Sequence, residues 1–262
     1  MKIEFFKYQG TGNDFILLDS REGIYAEITT EHVKEMCDRH FGIGADGLML
    51  LNNREGYDFE MVYFNADGKP GTMCGNGGRC IVKFAALLGI KKSRYFFLAT
   101  DGVHEAEIDL DKEVRLKMKD VDDVEFTLNN FLLNTGSPHY IKYVKDVDEI
   151  DVVAEGRKIR NSKEFVEHGV NVNFVQVKAD DEIFVRTYER GVEDETLSCG
   201  TGVTASALIA AHNEKGFNRV EVKTIGGSLC VEFEKMSDTQ FTNVWLCGPA
   251  ELVFTGEINL KS

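Results

Sequence analysis

The feature that most limits how this chain can fold is a repeated one. The segment "CGNGGRCIVKFAALLGI" begins at Cys74 and "CGTGVTASALIAAHNEKG" at Cys199. Each is Cys-Gly-x-Gly followed by an apolar run of helical length, and a helix that is apolar on most sides must be buried. The two starts stand 125 positions apart (199 less 74) in a chain of 262, close to half its length. The flanks also match in kind. "RYFFLATDGVHEAEIDL" follows the first copy and "RVEVKTIGGSLCVEF" the second, each reading as strand, glycine turn, strand. "TEHVKEMCDR" precedes the first copy and "EIDVVAEGRKI" the second as amphipathic helices, with Thr30 as the expected N-cap of the former. A duplication of this length predicts an α/β (α+β) fold. It has two pseudo-symmetric lobes, each a mostly antiparallel curved sheet around a central helix, with an active site in the cleft between them. The acidic, weakly periodic "KDVDDVE" at 119–125 is the expected boundary.

Composition removes several classes of function. With 30 Lys plus Arg against 44 Asp plus Glu the net charge is −14, and no basic run stands out. Nucleic acid, which is bound by neutralising phosphates, is therefore not an expected partner. No apolar run reaches the roughly 18–20 residues of a membrane span, and "MKIEFFKYQG" alternates like a strand rather than a signal segment. A cytoplasmic protein with no membrane partner is expected. Six cysteines are scattered without a CxxC pair, and the Cys74 to Cys80 spacing fits no common zinc pattern. No metal is expected, and Cys37, Cys80, Cys230 and Cys247 read as core residues.

Cys74 and Cys199 read differently because both stand at glycine-rich helix mouths. Glycine lets a ligand approach the backbone closely, and the N–H groups of a helix's first turn attract anions, so each mouth can cradle a carboxylate. The same field favours a thiolate, and a cysteine so placed becomes a usable base near neutral pH. Two such thiols on opposite sides of one carbon can invert it. One removes the α-proton, the other returns a proton to the opposite face, and the helix amides stabilise the charge that develops on the carboxylate. This scheme needs no cofactor.

"GTGNDFILLD", "RHFGIGADG", "FNADG", "MCGNGGRC", "YERGVEDETLSCGTG" and "GGSL", in that order, resemble the diaminopimelate epimerase family over nearly the whole chain. The resemblance implies two lobes, 1–120 with a returning 249–262 around Cys74, and 121–248 around Cys199. It implies interconversion of L,L- and meso-2,6-diaminoheptanedioate in lysine and peptidoglycan-precursor biosynthesis, without pyridoxal phosphate or metal. Cys74 and Cys199 become the acid and base pair, Cys199 accepting the proton of the L,L substrate and Cys74 donating. Asn13, Asn65, Asn171 and Arg190 become the substrate clamp. The amides of Gly75, Asn76, Gly200 and Thr201 hold the reacting carboxylate, Glu189 faces the ammonium group, and His139 supports the site. The partner implied is the small-molecule substrate, and a homodimer is left open.

Three positions depart from the family pattern. Gly47 stands where some members carry Gln, and Ser137 where many carry Asn. The loop "ERGVEDETLSCG" is one residue longer than usual, with Glu193 and Asp194 in place of a Gly. Asn76 and "YERG" argue against the related proline and hydroxyproline enzymes. The presence of both cysteines argues against a pure binding module.

Overall fold

The computed structural model describes residues 2–71, 73–108, 113–127, 130–213 and 215–260. Two compact units emerge, Met1–Leu116 with Pro249–Ser262, and Lys117–Gly248.

The first unit runs β1 (Lys2–Gly10), β2 (Asn13–Asp19), α1 (Thr30–Cys37), β3 (Gly47–Asn52), β4 (Phe59–Asn65), α2 (Gly75–Leu87), β5 (Arg94–Ala99), β6 (Gly102–Ile108) and β7 (Val114–Lys117). The second runs β8 (Val124–Thr127), β9 (Asn130–Asn134), β10 (Pro138–Tyr143), α3 (Val152–Arg160), β11 (Asn171–Ala179), β12 (Glu182–Glu189), β13 (Asp194–Thr196), α4 (Gly200–Ile209), β14 (Gly216–Thr224), β15 (Gly227–Lys235) and β16 (Phe241–Gly248). The last strand, β17 (Glu251–Asn259), pairs antiparallel with β1 and so belongs to the first unit. The final two residues of "EAEIDL", Asp109 and Leu110, lie outside the described residues.

The strand pairings repeat. In the first unit β1–β2 is antiparallel, β2–β3 parallel, β3–β4 antiparallel, β4–β5 parallel, and β5–β6 and β6–β7 antiparallel. In the second unit β9–β10, β10–β11, β11–β12, β12–β14, β14–β15 and β15–β16 follow the same order of directions. The pairing of β17 with β1 is matched by that of β8 with β9. A parallel pair needs a long crossover. Accordingly α1 and α2 bridge the two parallel pairs of the first unit, and α3 and α4 those of the second. The duplication read from two glycine motifs thus extends through these strand pairings, the short β13 beside β12 being an addition of the second unit, and the mixed α/β fold class is as expected.

The helices divide into outer and inner. The outer α1 buries only Val33, Met36 and Cys37, and α3 only Val152 and Gly156. The N-cap of α1 is Thr29 rather than Thr30, because its hydroxyl accepts from the His32 amide while the His32 ring accepts from the Thr29 amide. The inner α2 is buried from Gly75 through Val82, and α4 over eight of its ten residues. The inner helices need close backbone approach on one side. A Cβ on Gly77 would stand 2.2 Å from Met49 Cε of β3, and one on Gly202 would stand 2.3 Å from Asn173 Oδ1 of β11. Gly77 and Gly202 occupy the same place in the two copies, three residues after the cysteine, and β3 and β11 are the matching strands. The second glycine of each motif therefore lets the helix seat against its strand.

Strand alternation then sorts side chains between the layers. On β11, Val172 and Phe174 pack with Val152 and Tyr188 under α3. Asn171 and Asn173 face the other way, as period-2 geometry requires, and bond at the mouth of α4. Among the described residues no helix is long and apolar enough to cross a membrane.

Candidate functional site

Each predicted cysteine is the N-cap of its inner helix. Cys74 has φ −105° and ψ 132°, and Cys199 has φ −111° and ψ 109°. Their carbonyls accept from Gly78 at 2.7 Å and Val203 at 2.8 Å, closing the first helical turns. Neither thiol caps its helix. An N-cap in extended conformation aims its side chain across the first-turn amides, which the helix's own ladder cannot satisfy. The cradle amides expected at Gly75, Asn76, Gly200 and Thr201 occupy those first turns.

At the first mouth the Cys74 thiol donates to Asn13 Oδ1 at 3.5 Å. The Asn13 amide in turn donates to the Asp46 carboxylate. Behind it Arg39 bonds Asp14 at 2.7 and 3.0 Å and Asp46 at 2.8 Å, and Lys7 meets Asp14 at 2.7 Å and the Gly44 carbonyl. Burial pushes the Asp14 carboxyl up, but the hydrogen bonds and charges of Arg39 and Lys7 outweigh it and bring it down to about 2. Asn13 is thus fixed by a network of ion pairs.

A residue absent from the sequence-based set organises the other side of this mouth. Arg79, on the second turn of α2, is completely buried. It donates to Gly75 O at 3.2 Å, Asn76 Oδ1 at 3.0 Å, Thr11 Oγ1 at 3.1 Å and Pro249 O at 3.3 Å. One guanidinium ties the β1–β2 turn, the helix mouth and the start of the returning segment. Its grip turns the Asn76 side chain inward, so that what this residue can offer a ligand is its backbone. A lone arginine within an apolar helix was the signal that could have exposed it.

Asn65 closes β4, exposed and paired with Gly47 across the ladder. A Cβ on Gly47 would stand 2.5 Å from the Tyr63 ring and 2.6 Å from the Phe64 carbonyl. The Tyr63 ring and the β4 backbone therefore leave no room for a side chain at this position.

At the second mouth Cys199 Sγ lies 3.5 Å from Thr201 Oγ1. Thr201 Oγ1 is 2.9 Å from His139 Nε2 and 3.3 Å from Ser137 Oγ, and its carbonyl accepts from Thr135 Oγ1 at 2.8 Å. The other His139 nitrogen meets Asn173 Nδ2 at 3.1 Å, and Thr187 Oγ1 donates to Asn173 Oδ1 at 2.9 Å. His139 is fully buried; burial first, then the nearby charge of Arg190, brings its imidazole down to about 3, so it is neutral at physiological pH. Asn173 was missed although it shares a strand face with the predicted Asn171, two positions away.

Asn171 donates to Ser137 Oγ at 3.0 Å and accepts from the Arg190 amide at 2.8 Å. It links the mouth to the loop that carries Arg190. The Arg190 side chain is exposed and donates to His168 O at 2.9 Å, and Glu189, half-buried, closes β12. The longer loop is accommodated by Glu193, which takes φ +60°, a conformation glycine adopts without strain. Glu193 is held there by the Gly191 amide at 3.1 Å, the Tyr188 hydroxyl at 3.0 Å and Arg160 at 3.4 Å.

The predicted residues therefore gather into two sets: Asn13, Cys74, Gly75 and Asn76 in the first unit, and His139, Asn171, Arg190, Cys199, Gly200 and Thr201 in the second. Cys37, Cys80, Cys230 and Cys247 are buried. Burial pushes the Cys37 and Cys80 thiols up to about 12, far from use as bases near neutrality. A surface pocket of about 490 Å³ between Glu4, Asp19, Arg21 and Asn53 contains none of the predicted residues.

Known proteins resemble this chain in sequence and in fold. The family model described as diaminopimelate epimerase matches residues 5–124 and 131–253. A diaminopimelate epimerase of Flavobacterium psychrophilum is 48% identical over 253 residues, covering 96% of this chain and 98% of the relative. That of Chlorobaculum tepidum is 48% identical over 261 residues, covering 96% and 99%. Among solved structures, a phenazine biosynthesis protein of the PhzF family from Bacillus anthracis superposes with TM-score 0.73 at 15% identity, covering 99% and 100% of the two chains. A probable proline racemase from Agrobacterium radiobacter superposes with TM-score 0.63 at 15% identity, covering 99% and 93%. These two structures share the fold alone. The family match runs through both cysteine mouths, and with relatives of 48% identity along nearly its whole length, the chain belongs to the diaminopimelate epimerase family.

Proposed function

We propose that this chain epimerises one α-carbon of 2,6-diaminoheptanedioate, interconverting the L,L and meso forms by two-base proton transfer between Cys74 and Cys199. The observation that carries the reading is the duplicated mouth: two thiols, each at the extended N-cap of a buried helix and neither used in capping. For the L,L substrate, the Cys199 thiolate takes the α-proton and the Cys74 thiol delivers its proton to the opposite face of the planar carbanion. First-turn amides of Gly75, Asn76, Gly200 and Thr201 hold the reacting carboxylate and stabilise the negative charge as it builds. Asn13 and Asn65 with Arg190 and Glu189 bind the polar ends of the substrate, Arg190 forking onto the distal carboxylate. Asn171 and His139 act through neighbours, one holding the Arg190 backbone and the other Thr201. Both proton transfers are supplied by thiols, so the scheme requires no cofactor.

A cytoplasmic setting, where thiols stay reduced, belongs to the same reading and is supported by the buried thiols of Cys37, Cys80, Cys230 and Cys247. So does a homodimer, supported by Leu252, Val253 and Phe254 of β17, which are 42%, 56% and 47% exposed. The deciding measurement is solvent deuterium incorporation at the α-carbon of L,L-diaminopimelate, with proline and hydroxyproline as controls. Incorporation specific to diaminopimelate is expected. No exchange, or equal turnover of proline, would sink the assignment.

A further inference from the structure

Cys230 of β15 and Cys247 of β16 face each other across the antiparallel ladder. Glu232, two residues along β15, shares their face by strand alternation. The two sulfurs and a carboxylate oxygen of Glu232 all lie within 4.8 Å of one another. The opposite face of these strands sends Leu229, Val231, Phe233, Val244 and Leu246 into the core of the second unit. On the shared face the two thiols pack with Trp245, and the Glu232 carboxylate is set beside them. Arg219 of β14 stands opposite Glu232 on the other ladder, and its Nη1 donates to Glu232 Oε1 at 2.5 Å. An outer donor on one carboxylate oxygen is the usual way a ligating carboxylate is oriented.

We propose that Cys230, Cys247 and Glu232 form a binding site for a thiophilic divalent cation of the zinc class, with Arg219 orienting the carboxylate. Two thiolates and one carboxylate suit a d¹⁰ ion. Two thiolates on one tetrahedral zinc, with Zn–S about 2.3 Å, stand about 3.8 Å apart, inside the 4.8 Å that bounds this pair. A disulfide would instead need Cβ atoms about 3.8 Å apart, closer than the roughly 4.5–5.5 Å of cross-strand partners. Two thiolates and a carboxylate carry one negative charge more than a divalent cation balances, and the Arg219 guanidinium, which also bonds Glu221 at 2.8 Å, stands beside that excess. Binding releases the two thiol protons to solvent, and water completes the tetrahedron from the side of Glu232, whose side chain is 14% exposed. None of the residues assigned to proton transfer or substrate takes part.

The test uses the full chain carrying Cys74→Ser and Cys199→Ser, so that the proposed catalytic thiols cannot compete for metal. Titration with Zn²⁺ against a chromophoric chelator should give one ion per chain, and native mass spectrometry should show the complex two protons lighter than simple addition. Adding Cys230→Ser or Cys247→Ser should weaken binding at least about 100-fold, and Arg219→Gln about 10–100-fold. Arg219 is about half exposed, so its variant decides the matter if a cysteine variant fails to fold. Absence of stoichiometric zinc in the parent chain overturns the proposal. Binding that survives Cys230→Ser, or is indifferent to Arg219→Gln, also overturns it.

Discussion

The two helix mouths have the same backbone and opposite polar support. At Cys74 the partner side chain, Asn13, is anchored by ions: Asp46, Asp14, Arg39 and Lys7. At Cys199 the partner, Thr201, is anchored by neutral groups: Ser137, His139 and, behind them, Asn173. Duplicated topology therefore preserves where a thiol stands, while the chemistry that holds it can diverge. Physical chemistry requires only that each buried polar atom be satisfied, by whatever partner the neighbouring strands supply.

The sharpest test of equivalence between the mouths is to remove each thiol. Cys74→Ser and Cys199→Ser should each lower kcat/KM by about 10³-fold or more, since general acid–base groups contribute on the order of 10²–10⁴. Epimerisation assayed from both the L,L and the meso side checks this. Near-normal turnover by either variant would break the two-base reading.

Five residues after each cysteine the copies differ in kind. Arg79 bonds Gly75, Asn76, Thr11 and Pro249, partners from three segments, whereas Thr204 donates to Gly200 O of its own helix, at 2.9 Å. Arg79→Met should cost about 3 kcal/mol, because each buried acceptor left unpaired costs roughly 1–3 kcal/mol and some will rearrange. Thr204→Val should cost under about 1 kcal/mol. Urea denaturation of the two variants measures the gap, and equal losses would show that Arg79 organises nothing beyond its helix.

Acid should separate the mouths as well. The His139 imidazole falls from its ordinary 6.5 to about 3 on folding, so only the unfolded chain takes up this proton in between. Its contribution is intact above 6.5 and is lost as pH falls toward 3, with a limiting slope of about 1.4 kcal/mol per pH unit. Asp14, down from 3.8 to about 2, contributes fully above 3.8 and loses its share only below that. His139→Gln should therefore flatten the dependence of the urea midpoint on pH between about 6.5 and 4. An unchanged slope would show that His139 is not the group responsible. The smallest effect is expected at the loop: Glu193→Gly relieves a left-handed residue but loses its three partners, and should move stability by no more than about 1 kcal/mol.

Much of this was legible in the chain because its signals are local. Cys-Gly-x-Gly before an apolar run marks a buried helix start wherever it occurs, and two copies half a chain apart announce a duplicated fold. The N-cap positions of Cys74 and Cys199 follow from those same residues. Asn173 was within reach too, since period-2 alternation places it beside Asn171. The tertiary structure alone decided the partners: Asn13 for Cys74 across 61 positions, His139 for Thr201 across 62, and Pro249 for Arg79 across 170. It also reassigned the second glycine of each motif from ligand approach to helix seating, and set Cys230 against Cys247 with Glu232 beside them. Periodicity is written in neighbouring residues, whereas pairing between distant strands is chosen by the packing of the whole unit, so the sequence named the two thiols and the fold chose what holds each of them.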